Sequence, residues 1–278
     1  MTLKDIMVHV DGREAAGRRV EAAVALAAAN DARLTGIYAV PSMNLPGYAE
    51  VQIAAEVLAA HAEQVEETAK ETRRAFEDRV GKAGVGVEWR SGEADPADLL
   101  ALHGRYADIV VIGQPEPDTG LLMGGDDLPD RVFMDVGRPV LLIPYAGDFP
   151  TIGKRVMVAW DGSRTATRAV HDAMPFLERA DAVSIMCVNP PKGANGLGDL
   201  PGADIAAHLA RHGIKAEADH IHSKDVPVAD MLASRAADFG ADLMVMGAYG
   251  HARVREMILG GVTRAMLESM PVPVLMSH

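Results

Sequence analysis

ADLMVMGAYGHARVREMILGGVT, residues 241–263, passes from an apolar run through two glycine sites into a helical pattern that continues over residues 264–268. A short apolar run closed by glycine reads as a strand buried on both faces, and the spacing that follows reads as a helix. Glycines at such a passage let backbone N–H groups approach a ligand closely, and a helix N-terminus favours an anion. A phosphate cradle is one reading of Gly247, Gly250, Gly260 and Gly261. Ordinary turn and cap chemistry is the other, and spacing alone does not separate them.

The same strand-to-helix order recurs outward along the chain. Residues 5–10, DIMVHV, read as a buried strand ending in Asp11-Gly12, followed by an alanine-rich helix over residues 18–30. Strands are expected at residues 34–40, 85–90, 108–113 and 139–144, with helices at residues 48–80 and 96–106. Near the end of the long helix, Glu66 and Lys70 stand at attractive i,i+4 spacing. Residues 145–153, YAGDFPTIG, carry the marks of a linker, and then the pattern restarts. Residues 155–160, RVMVAW, end in Asp161-Gly162. A helix over 165–179, strands at 182–188 and 216–222, a short element at 206–212, a helix at 228–239 and strands at 241–246 and 273–276 complete the series.

The spacings test this repeat. Asp11 and Asp161 are 150 residues apart, whereas Gly113 to Gly247 and Pro139 to Pro273 are both 134. The shortfall falls in the middle, where the first half has its long helix. The chain therefore reads as two tandem open parallel-sheet α/β domains of five strands each: residues 1–146, a linker at 147–153, and residues 154–278. Ligands of such sheets bind at the carboxyl ends of the strands, where the winding reverses, so Asp161 and Met246-Gly247 are expected at one crevice.

At 278 residues with 49% hydrophobic and 24% charged residues, the composition is that of a globular protein with an aliphatic core, aromatics being only 4%. A net charge of −12 argues against broad nucleic-acid or anionic-membrane binding. One cysteine leaves no internal disulfide and no cysteine-rich zinc site. The N-terminus lacks the apolar core of a signal peptide, and no run of about 18 apolar residues is present, so a cytoplasmic protein is expected.

Here the residues resemble the universal stress protein family across both halves. Gly247-Ala-Tyr-Gly250, nine residues, then Gly260 reproduce its signature, and Asp161-Gly162-Ser163 is similar to its opening motif. The resemblance implies an adenine-nucleotide site: ATP, or ADP or AMP, with Mg²⁺ as a companion. Asp161, with Ala159 beside it, would lie against the adenine, and Val188 would add an apolar contact. Met246 and Gly247 would border the nucleoside; Gly250, Gly260, Gly261 and Val262 would present backbone to the phosphates, and Thr263 a hydroxyl. Ordinary core is the alternative reading of Val188 and Met246. Gly261 departs from the pattern, which has Ser or Thr there. A hydroxyl bonded to a charged phosphate contributes roughly 1.5–3 kcal/mol, so its absence weakens binding about ten- to hundredfold.

The first half departs further. At the 134-residue offset, Gly250 maps to Glu116, and Gly260 and Gly261 map to Asp126 and Asp127. Residues 113–130 hold Glu116, Asp118, Asp126, Asp127 and Asp130 with no base, a charge of −5, where residues 247–264 carry +2. Carboxylates repel a triphosphate, so the first half is expected to bind no nucleotide. Asp126 and Asp127 also suit Mg²⁺ or Ca²⁺, although a solvated acidic loop is the favoured account and no metal site is expected.

Other chemistry is thin. His220 and His222 share one face of a strand and His208 and His212 one face of a helix, but two imidazoles lack the third ligand of a zinc site. Cys187 lies in an apolar strand without a positive neighbour, as a small buried hydrophobe would. G-x-S-x-G, H-E-x-x-H and the P-loop are absent, and no nucleophile and base pair up. The two fifth strands, apolar edges, are expected to pair with each other as an internal pseudo-dimer, with Met123, Met134, Met257, Met266 and Met270 as candidates for that contact, although generic core is the favoured account of most of them. A homodimer is the further assembly considered. The expected function is that of a nucleotide-binding stress regulator with an unidentified protein partner. A scaffold of the same fold that binds no nucleotide or another metabolite is the alternative, and a slow ATP hydrolase a third.

Overall fold

The apolar runs form strands because both of their faces are covered. The computed structural model describes residues 2–40, 55–116, 127–191, 197–249 and 261–278. In the first half these comprise β1 (Asp5–Val10), α1 (Ala15–Asn30), β2 (Arg33–Ala39), α2 (Ala55–Gly81), β3 (Val87–Gly92), α3 (Pro96–Gly104), β4 (Ile109–Gly113), α4 (Leu128–Asp135) and β5 (Val140–Ile143). The second half follows with β6 (Arg155–Ala159), α5 (Arg164–Asp172), α6 (Met174–Leu177), β7 (Ala182–Val188), α7 (Ala203–Arg211), β8 (Ala216–Ile221), α8 (Val228–Phe239), β9 (Leu243–Gly247), α9 (Gly261–Ser269) and β10 (Val274–Ser277).

Each half has the parallel order 3-2-1-4-5, and β5 pairs antiparallel with β10 through Val140↔Met276, Leu141↔Leu275 and Leu142↔Val274. The two fifth-strand edges thus cover one another, and a single ten-stranded sheet results. Alternation along the strands divides the core. In β4, Ile109 and Val111 face the layer holding α1, α2, α5 and α7, while Val110 and Ile112 face that of α3, α4, α8 and α9. Both apolar layers run through the β5–β10 seam, with Leu141 and Leu275 in one and Val140, Leu142, Val274 and Met276 in the other.

Three expectations shift. The strand expected at residues 85–90 is β3, two residues later, because its pairing with β2 begins at Val87↔Leu34 and ends at Gly92↔Ala39. This is an edge strand with little burial, so apolar residues do not mark its ends. The single helix expected over residues 165–179 is broken into α5 and α6. Pro175 has no N–H to donate to the carbonyl of His171, and its ring crowds that position. Met134 is 58% exposed and does not line the contact between halves, whereas Met266 and Met270 are buried in the α8–α9 layer. Met123, Met257 and the helix expected at residues 48–54 lie outside the described residues.

Candidate functional site

The site is built from the turn after β6. Gly162 takes φ 75°, a conformation that favours glycine. The Asp161 carboxylate accepts the Ser163 N–H at 2.9 Å, and the Ser163 hydroxyl in turn accepts the Ala166 N–H at 3.1 Å as the N-cap of α5. Asp-Gly-Ser is thus a turn and cap that leaves Asp161 at the carboxyl end of β6. The equivalent turn exists in the first half, where Asp11 accepts the Arg13 N–H at 3.2 Å.

β9 delivers the opposite wall. A Cβ on Gly247 would lie 2.5 Å from both the Ala166 nitrogen and the Thr165 hydroxyl, so glycine here lets α5 approach the strand. Beyond it, Tyr249 adopts φ 57° and donates its N–H to the Thr263 hydroxyl at 3.2 Å. That oxygen, expected near a phosphate, is already an acceptor within the protein, and Thr263 is buried. Gly261 opens α9, and a Cβ on it would meet no described residue within 4 Å.

Ala159, Asp161, Val188, Met246, Gly247, Gly261, Val262 and Thr263 line one cavity of about 310 Å³. Gly250 and Gly260 lie outside the described residues, as do Asp118 and Asp126. Trp160, Met186, Asn189, Val228, Leu232 and Tyr249 join the wall without having been singled out from the sequence. Val228 and Leu232 sit on α8, four apart, and read as ordinary core there. Asn189 was findable: it follows β7, takes φ 50°, and accepts the Ser223 N–H at 2.8 Å. The cavity combines an apolar slot of Met186, Val188, Met246 and Leu232 with a carboxylate and the N-terminus of a nine-residue helix. Such a slot takes a flat apolar body, and the helix end takes an anion.

The first half is built differently at the matching place. Arg19 is buried, donates to the His9 carbonyl at 2.7 Å and lies 3.2 Å from the Asp11 carboxylate. Its guanidinium occupies the space that a Cβ on Gly113 would take. Burial raises the pKa of Asp11, but Arg19, His9 and Arg13 outweigh it and hold the carboxyl below its usual value. Burial, then the Arg19 charge, pushes His9 down to about 3, so it is neutral. Asp127 immediately precedes α4, whereas its counterpart at the 134-residue offset, Gly261, is the first residue of α9.

Cys187 is buried, and burial followed by Asp161 and Asp219 raises its thiol to about 11. His208 has His212 and His171 beside it, at ring separations of 4.9 and 5.6 Å. Among the described residues, no three His, Cys, Asp or Glu side chains are arranged to hold a metal. Nor is any described helix long and apolar enough to cross a membrane.

Two doubly wound units of the same strand order, with a cavity where the winding of the second reverses, define a tandem α/β protein. The chain belongs to the universal stress protein family, whose family model matches it twice, over residues 2–126 and 153–278. A universal stress protein of Synechocystis is 26% identical over 174 residues, 60% of this chain, and the match spans 57% of that relative's length. A universal stress protein from Archaeoglobus fulgidus superposes with a TM-score of 0.75 at 18% identity, over 98% of this chain and 96% of its own. A functionally unknown protein from Pseudomonas aeruginosa gives 0.58 at 14% identity, over 99% and 92%. At those identities the structural likeness is one of fold.

Proposed function

We propose that the second half binds ATP, or the related ADP or AMP, and that the protein acts as a nucleotide-responsive regulator rather than a metabolic enzyme. The observation that carries this reading is the joining of an apolar slot to a helix N-terminus in one cavity at the carboxyl ends of β6 and β9. Ala159, Val188 and Met246 offer the adenine an apolar slot. The Asp161 carboxylate is an acceptor for the nucleoside's N–H and O–H groups. Gly247 borders the nucleoside, and Gly261 and Val262 present the first backbone groups of α9 to the phosphates, as would Gly250 and Gly260 by their place in the motif. Mg²⁺ accompanies the phosphates, as it usually does ATP. The first half binds no nucleotide, since Asp11 is committed to Arg19 and the flanking residues are acidic.

Trp160 is in the cavity wall, so its fluorescence in a Trp89→Phe background reports ligand entry. Titration with ATP is expected to saturate below millimolar concentration, to be lost in Asp161→Ala and to persist in Asp11→Ala. No saturation at millimolar ATP would favour the second reading, a scaffold or sensor of another metabolite. The observation behind that reading is the missing hydroxyl at Gly261.

A further inference from the structure

Tyr249 stands between the two glycines of the motif and forms part of the cavity wall, in a left-handed conformation that non-glycine residues rarely adopt. Such a conformation persists only where the surroundings over-determine it. Here its N–H is held by Thr263, and its ring packs edge-on against Phe133 at 6.2 Å and His278 at 6.3 Å. Its hydroxyl donates to the carboxylate of Asp130. Asp130 and Phe133 are three residues apart on α4 of the first half, hence neighbours on one side of that helix. The other wall is tied to the first half as well, because buried Gln114 donates to the Leu267 carbonyl of α9 at 2.9 Å. Yet every described residue lining the cavity belongs to the second half.

We propose that the first half is a positioning element for the cavity of the second: Asp130 and Phe133 hold Tyr249 in the conformation that shapes the wall. Asp130 is a positioning residue that acts through Tyr249 and touches no ligand. The inference rests on the nucleotide-binding reading above. It gives the first half, whose own crevice carries the Asp11–Arg19 pair, a role in setting the affinity of its neighbour. Loss of the latch lowers the fraction of molecules with a competent wall, and apparent affinity falls by that fraction.

The test uses the full chain and four variants: Tyr249→Phe, which keeps the ring; Asp130→Ala; Asp130→Asn, which keeps an acceptor; and the Tyr249→Phe/Asp130→Ala double. ATP dissociation constants and exchange of the Tyr249 amide without nucleotide are measured on each. Tyr249→Phe and Asp130→Ala are each expected to weaken ATP binding about tenfold, and the double variant no more than either. Both should speed exchange of the amide, and Asp130→Asn should lie nearer the parent protein. Parent-like ATP affinity in both single variants, or additive losses in the double, would overturn the proposal. If the parent protein binds no ATP, the nucleotide reading fails separately. Amide exchange then decides alone: faster exchange in both single variants supports the latch, and unchanged exchange overturns it.

Discussion

Gly247 and Gly261 belong to one motif but are small for different reasons. At Gly247 a methyl group would collide with the backbone and side chain at the start of α5, so Gly247→Ala is expected to cost ~1–3 kcal/mol of stability, read as a lower denaturant midpoint. At Gly261 a side chain meets no described residue, so Gly261→Ser should fold normally. By restoring the family's hydroxyl it should tighten ATP binding about tenfold in a calorimetric titration. Only coordinates separate these two cases, because the sequence shows the same letter. His9 makes a further case. Its folded pKa, about 3, lies below its unfolded value, so the unfolded chain takes up a proton first as pH falls. Its contribution to stability is therefore full above about pH 6.5 and lost between there and about pH 3. Denaturation curves across that window should show unfolding free energy falling on acidification, at up to about 1.4 kcal/mol per pH unit from this residue. His9→Gln should flatten the slope.

Two of the described helices owe their starts to side-chain caps that can be read in the chain. Ser163 caps α5, and Asp95 caps α3 by accepting the Ala97 N–H at 2.9 Å. Ser163→Ala should cost ~1 kcal/mol in a denaturant titration. The exposed Glu66–Lys70 pair of α2, at 2.7 Å, is the expected i,i+4 contact and contributes little. The central strands were legible because they are apolar on both faces. β3 was misplaced by two residues because, at an edge, its ends depend on where the partner's N–H and C=O groups lie. The break between α5 and α6 was legible in Pro175, whose effect outweighs the continuing apolar pattern.

On the scale of the whole molecule, both core layers cross the β5–β10 seam, and polar contacts span it as well: Arg168 to the Gly137 carbonyl at 2.9 Å, and Arg179 to Asn30 at 2.7 Å. The halves are therefore expected to unfold as one cooperative unit. Each half carries one tryptophan, so Trp89→Phe and Trp160→Phe proteins report the two separately. Coincident urea midpoints are expected, and separated ones would show independent halves. By itself the sequence determined the tandem α/β architecture and most of the cavity wall. Buried strands, caps and glycine motifs are local patterns, and a repeat displays them twice. Tertiary structure alone decided that Asp11 is tied to Arg19, that Thr263 anchors Tyr249, and that Asp130 of one half reaches Tyr249 of the other. These contacts join residues between 8 and 119 positions apart. Side-chain direction and packing across the seam bring them together, and no pattern of residue types along a chain records that.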